Sequence, residues 1–177
     1  MRRRHDAYYT PPWQTALLLS HQPISGRVVE PCCGDGAIVR LLRGAGCAVT
    51  TGGFDPAVAP DRVGCATDPA AYTGADWIVT NPPYRMPVCR DIVTTAVAAA
   101  RVGVAMLLRL TFLEPPRHRH PRGPWLADHP PDRMIVMPRT SYTGDGKTDS
   151  VTTAWLIWLR DGTDRDPVVL VPFEETA

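Results

Sequence analysis

The chain has almost no net charge: 19 Lys and Arg against 18 Asp and Glu over 177 residues leave +1. Without a bulk field, any polyanion must be held by a local patch. Arginines do gather locally, in MRRRH at the start and in RHRHPR from Arg117 to Arg122. The five cysteines (Cys32, Cys33, Cys47, Cys65, Cys89) are odd in number and contain no C-x-x-C pair, so a disulfide framework is not expected and a reduced, cytoplasmic setting is. The fragment ALLLS is too short for a signal-peptide core. The longest apolar runs, such as VAMLL, fall far short of the roughly 20 residues a bilayer span needs, so no membrane segment is expected. No repeat or low-complexity segment appears either.

Proline, by contrast, is plentiful. Nineteen prolines punctuate short β-like runs that alternate with helix-like ones, the pattern of an α/β fold with a mostly parallel sheet and helices on both faces. Apolar content of 44% with 21% charged residues fits one globular domain over residues 1–177. In chain order, WQTALLLS is predicted as a helix, RVVE a strand, AIVRLLRGAG a helix closed by glycine, and CAVTTGGF a strand. A short strand near GCAT follows, then the strand WIVT, a helix through PVCRDIVTTAVAAA, and the strands GVAMLLRL, RMIVM and TTAWLIWL. The tail VVLVPF is a further candidate edge strand. Trp155 and Trp158 fall in an alternating run and are expected to pack against the sheet.

Open α/β sheets bind ligands beyond the carboxyl ends of their strands, which directs attention to Glu30, Asp55, Asp68 and Asn81. The first strand runs into EPCCGDGA, an acid followed by G-x-G (Gly34, Gly36) and a helix; glycine there lets backbone approach a ligand where side chains would block it. Val39 stands where the dinucleotide fingerprint requires its third glycine, which argues against a pyrophosphate site. Asp55, 25 positions after Glu30, lies where a βαβ unit places an acid against ribose hydroxyls. The fourth strand ends in N-P-P-Y, Asn81 to Tyr84. Proline fixes its own φ and holds the residue before it extended, so the Asn81 carboxamide and the Pro82 carbonyl are presented rigidly at one place.

This combination resembles the class I S-adenosylmethionine-dependent methyltransferases, over nearly the whole chain. The resemblance implies a single-domain Rossmann-like methyltransferase fold with a mostly parallel seven-stranded sheet and no separate target-recognition domain. In that family N-P-P-[YFW] after the fourth strand marks enzymes that methylate an exocyclic or amide nitrogen, which assigns Asn81, Pro82, Pro83 and Tyr84 to catalysis. LLRLTFLEP, PRTSYTGDGKTDS and TAWLIW are similar to the small phage-type DNA N6-adenine methyltransferases. S-adenosylmethionine is the implied cofactor, with Glu30, Pro31, Gly34 and Gly36 at its methionine part, Asp55 and Pro56 at its ribose and Asp68 at its adenine. YYTPP resembles the segment that closes over the cofactor, with Thr10 as the contact. DNA is the implied partner, RNA an alternative, and Arg117, Arg119, Arg139 and Lys147 are candidate nucleic-acid contacts.

Adenine's amino nitrogen is a poor nucleophile because its lone pair is delocalised into the ring. Two acceptors for its N–H groups favour the pyramidal, reactive form without a strong general base, and Tyr84 would stack on a flipped base. Guanine N2 in RNA and the glutamine of a release factor remain open as acceptors, since enzymes acting on them also carry N-P-P-Y. Only 29 residues precede Glu30, which disfavours those relatives with a preceding substrate domain and leaves specificity to the loops at 85–90 and 111–150. A cofactor-binding module without activity is the rival from outside the enzymes. GDGKT is no phosphate loop, because Ser141 stands at the first glycine position. His118 and His120 lack partners at ligand spacing, and no structural metal is expected. Cys32 and Cys33 are read as small packing residues.

Overall fold

The alternation of apolar side chains along short runs builds a sheet whose two faces are both covered. The structure, a computed structural model, describes residues 10–54, 59–114, 121–139, 152–162 and 168–170. Within them lie four α-helices, α1 (Pro12–His21), α2 (Ala37–Gly44), α3 (Val88–Ala99) and α4 (Arg122–Asp128). The strands are β1 (Arg27–Glu30), β2 (Ala48–Gly53), β3 (Arg62–Val63), β4 (Trp77–Thr80), β5 (Gly103–Arg109), β6 (Arg133–Val136), β7 (Thr153–Leu159) and β8 (Val168–Leu170). They form one sheet in the order β3-β2-β1-β4-β5-β7-β6-β8. Neighbours pair in parallel except at β7, which runs antiparallel to both β5 and β6.

Successive side chains of a strand point to opposite faces, and the buried residues divide accordingly. Val104, Met106 and Leu108 of β5 join Ala154, Leu156 and Trp158 of β7 on the face covered by Cys89, Ile92, Val93 and Ala96 of α3. Ala105 and Leu107 join Trp155 and Ile157 on the face covered by Leu18 of α1 and by Ile38 and Leu42 of α2. Both tryptophans belong to the core, as expected. Trp155 Nε1 donates to the Gln14 carbonyl at 2.8 Å and Trp158 Nε1 to the His129 carbonyl at 3.0 Å, so neither indole N–H is buried without an acceptor. Gly103 opens β5 where a Cβ would stand 2.6 Å from the Trp77 ring and 3.0 Å from the Trp158 carbonyl.

The amino ends of the strands are tied by one carboxylate. Asp76, immediately before β4, accepts the Arg27 backbone N–H at 2.9 Å through Oδ2 and pairs with Arg101 Nη2 at 2.9 Å through Oδ1. The Arg27 backbone bond and the two arginine charges hold its carboxyl below the usual range. β1, β4 and the turn into β5 are thereby joined at the edge opposite the candidate site.

Two elements differ from the sequence reading. The short strand expected near GCAT is β3, which ends just before it: pairing stops at Gly53↔Val63, where β2 ends, and residues 64–67 turn back, with Gly64 N–H donating to the Gly53 carbonyl at 3.1 Å and Asp68 N–H to the Cys65 carbonyl at 3.0 Å. α4 was not anticipated because it contains Gly123 and Pro124; the proline falls in the first turn, where a missing N–H costs no helical bond. The candidate edge strand in the tail VVLVPF is present as β8 beside β6 and brings the sheet to eight strands.

Candidate active site at the carboxyl edge of β1 and β4

β1 and β4 are adjacent and parallel, with Val28↔Trp77 and Val29↔Ile78, so their last residues, Glu30 and Thr80, arrive together. Both are fully buried. Thr80 Oγ1 donates to Glu30 Oε1, which also accepts the Cys32 backbone N–H at 3.0 Å. Glu30 Oε2 is buried and has no hydrogen-bond partner among the described residues. Burial pushes the Glu30 carboxyl up to about 8, against the opposing pull of the Thr80 and Cys32 bonds. An acid so placed has one occupied oxygen and one oxygen that gains from a donor or a cation.

The chain then makes the glycine turn. Gly34 and Gly36 have φ of +49° and +77°, the left-handed region that glycine enters without a Cβ penalty. Gly36 N–H donates to the Cys33 carbonyl at 2.8 Å, Asp35 Oδ1 accepts the Ala37 N–H at 3.1 Å, and α2 begins. On β2, Gly52 allows Pro31 to pass: a Cβ there would lie 3.2 Å from Pro31 Cα. Burial, then the nearby Glu30 carboxyl, raise both the Cys32 and Cys33 thiols. Neither is poised as a thiolate nucleophile, in keeping with their reading as packing residues.

From Thr80 the chain enters Asn81–Tyr84. Asn81 Nδ2 donates to Thr10 Oγ1 at 3.1 Å, so a predicted catalytic residue and a predicted cofactor contact, 71 residues apart, are joined; Thr10 is itself buried. Pro82 is buried, while Pro83 and Tyr84 are half-buried. Tyr84 packs against the cluster under α3, and the Arg109 guanidinium lies over its ring at 4.9 Å from Cζ to centroid.

A cavity of about 180 Å³ opens beside this edge between β1 and β2, bounded by Pro31, Thr51, Gly52, Arg62, Ala66 and Asp68 among others. Asp68 reaches its rim while capping the 3-10 turn Pro69–Tyr72 through the Ala70 N–H at 2.9 Å. Glu30, Gly34, Gly36 and Asn81 are not among its walls. Arg139 is exposed after β6. Asp55, Pro56, Arg117, Arg119 and Lys147 lie outside the described residues. Among the described residues no three His, Cys, Asp or Glu side chains gather as a metal site, and no helix is long and apolar enough to cross a membrane.

Two site residues escaped the sequence reading. Thr80 ends the run WIVT directly before Asn81, and its hydroxyl was the signal. Arg109 is the cation that ends the apolar run of β5.

No family model matches the chain, and no curated protein matches it. Its backbone does resemble solved structures. One is a protein studied for the conversion of a disulfide bond into a thioacetal group during echinomycin biosynthesis, at TM-score 0.55 and 17% identity over 90% of each chain. A TehB-like SAM-dependent methyltransferase from Corynebacterium glutamicum gives TM-score 0.51 and 14% identity over 82% of this chain and 86% of the other. TrmN from Thermus thermophilus gives 0.52 and 17% over 84% of this chain, which spans 48% of that longer protein. The mixed α/β fold, with helices on both faces of the sheet, is the Rossmann-like fold of S-adenosylmethionine-dependent methyltransferases.

Proposed function

We propose that the protein transfers a methyl group from S-adenosylmethionine to a planar nitrogen, and that this nitrogen is N6 of adenine in DNA. The observation that carries the reading is the meeting of the acid and the N-P-P-Y segment at the ends of two adjacent strands, through Thr80–Glu30 and Asn81–Thr10, with the Cys32 N–H tying the acid to the segment that makes the glycine turn.

The residues fit the cofactor. The unpartnered, buried Glu30 Oε2 suits an ammonium donor, the positive-φ glycines let backbone come close, and the cavity beside Pro31 and Asp68 suits the nucleoside end. S-adenosylmethionine, when bound, supplies an electrophilic methyl group on a sulfonium. The protein's part is positioning and electrostatics. With Nδ2 committed to Thr10, the acceptor role of Asn81 rests on Oδ1; together with the Pro82 carbonyl it takes hydrogen bonds from the amine and favours its pyramidal form. Tyr84 supports the base by stacking, worth about 1–3 kcal/mol in nucleic-acid sites. Thr10 ties the N-terminal segment to the catalytic asparagine, so cofactor enclosure and acceptor geometry are set together.

Incubation with labelled S-adenosylmethionine and, separately, DNA, RNA and glutamine-bearing protein extracts, followed by mass spectrometry of the labelled product, tests this. N6-methyladenine in DNA is the expected product. Label on guanine N2 or on glutamine moves the substrate, and binding of the cofactor without turnover identifies an inactive module.

A further inference from the structure

Arg109 has no role in the chemistry described so far, yet its guanidinium lies over the ring of Tyr84. β4 and β5 pair through Thr80↔Met106, so Arg109, three residues beyond Met106, extends past the end of β4 on the same edge as residues 81–84. Its guanidinium covers the Tyr84 ring at 4.9 Å, and the residue is half-exposed. Among the described residues no carboxylate forms an ion pair with it.

Two physical arguments follow. A guanidinium whose carbon lies over an aromatic ring still has N–H groups to offer another ligand, and its planar fork matches a phosphate. A cation beside a site that binds a sulfonium also raises the cost of holding that second positive charge, unless the other reactant brings a negative one. A protein amide brings none, whereas a nucleotide brings its phosphate.

Resting on the N-methyltransferase reading above, we propose that Arg109 contacts the phosphodiester of the nucleotide whose base is presented at Tyr84, so that the substrate of this site is a polynucleotide and not a protein amide. The ring and the phosphate contact then fix base and backbone of one nucleotide from a single pair of side chains.

The test combines binding and turnover. Affinity for a labelled adenine-containing single strand, as DNA and as RNA, is measured by fluorescence polarisation across a salt series for wild type, Arg109→Gln and Arg109→Lys. Loss of one phosphate contact lowers the slope of log affinity against log salt by about 0.7 for single strands. Arg109→Gln should show that reduction; Arg109→Lys, which keeps the charge but not the fork, should keep the slope and bind more weakly. Methyl transfer to the oligonucleotide should fall in Arg109→Gln by about tenfold more than transfer to deoxyadenosine, which has no phosphate and reports only the lost support of the Tyr84 ring, the difference being the size of one lost charged hydrogen bond.

A salt slope shared by wild type and Arg109→Gln overturns the proposal. So do equal losses on nucleoside and oligonucleotide, the outcome of lost ring support alone, and so does wild-type affinity in Arg109→Lys. Absence of oligonucleotide binding by the wild type also overturns it. Arg109-dependent binding without methyl transfer to any strand leaves the phosphate contact standing and removes the reaction assigned above. The DNA and RNA arms separate the two sources of phosphodiester.

Discussion

Thr80, the last residue of β4, donates its hydroxyl to the buried carboxyl of Glu30, the last residue of β1. This bond fixes the acid's rotamer and pulls its pKa down against burial. Thr80→Val should therefore raise the Glu30 pKa above about 8, while Thr80→Ser restores it. Cofactor affinity measured by calorimetry should rise with pH as Glu30 ionises, with a midpoint displaced upward in Thr80→Val alone. An unshifted midpoint would remove the assigned coupling.

Glu30 also governs stability. Its folded pKa, about 8, exceeds its ordinary value of 4.5, so between these values the folded state holds a proton that the unfolded state has lost. The stability it contributes is full below pH 4.5 and declines up to pH 8, by about 1.4 kcal/mol per pH unit at the steepest. Glu30→Gln has no proton to lose, so the ligand-free variant should be the more stable protein at pH 8 while binding the cofactor poorly. Urea unfolding at pH 5 and pH 8 checks the sign.

Asn81 faces two ways. If it accepts from the methylated amine as proposed, Asn81→Ala should lower turnover by about a hundredfold, the scale seen when one preorganised hydrogen bond is removed. Because Asn81 also holds Thr10, the same substitution should weaken cofactor binding as well. A double-mutant cycle with Thr10→Ala, read in cofactor affinity, should show a coupling of about 0.5–1.5 kcal/mol. Strict additivity would mean the two residues do not cooperate.

Gly103 tests the sheet beneath the site. An added Cβ meets the Trp77 ring at 2.6 Å and the Trp158 carbonyl at 3.0 Å, and a buried ring between packed layers has little room to yield. Gly103→Ala should lose about 1–3 kcal/mol of unfolding free energy, seen as a lower midpoint in denaturant with the slope unchanged.

Most of the fold was legible because its strands are short apolar runs bounded by breakers. RVVE, WIVT, GVAMLLRL and TTAWLIWL are strands where the pattern places them. The strand expected near GCAT falls just before it, on Arg62 and Val63, because β2 ends at Gly53 and offers no partner further on. Glu30, Gly34, Gly36 and Asn81 through Tyr84 were singled out because local motifs carry them, and the structure sets Glu30 and Asn81 at the ends of two adjacent strands. The bonds Thr80–Glu30 and Asn81–Thr10 span 50 and 71 residues, and Arg109 sits over Tyr84 from the neighbouring strand. Such pairings exist only once strand order is fixed, and no local pattern encodes them.

The Asp76 clamp has a bearing on how this scaffold can change. It fastens the amino ends of the central strands through Arg27 and Arg101, far from the segments that follow Glu30, Thr80 and Arg109. Replacing those outlying segments leaves the fastening untouched, so new substrate preferences can be grafted at one rim while strand alignment is guarded from the other.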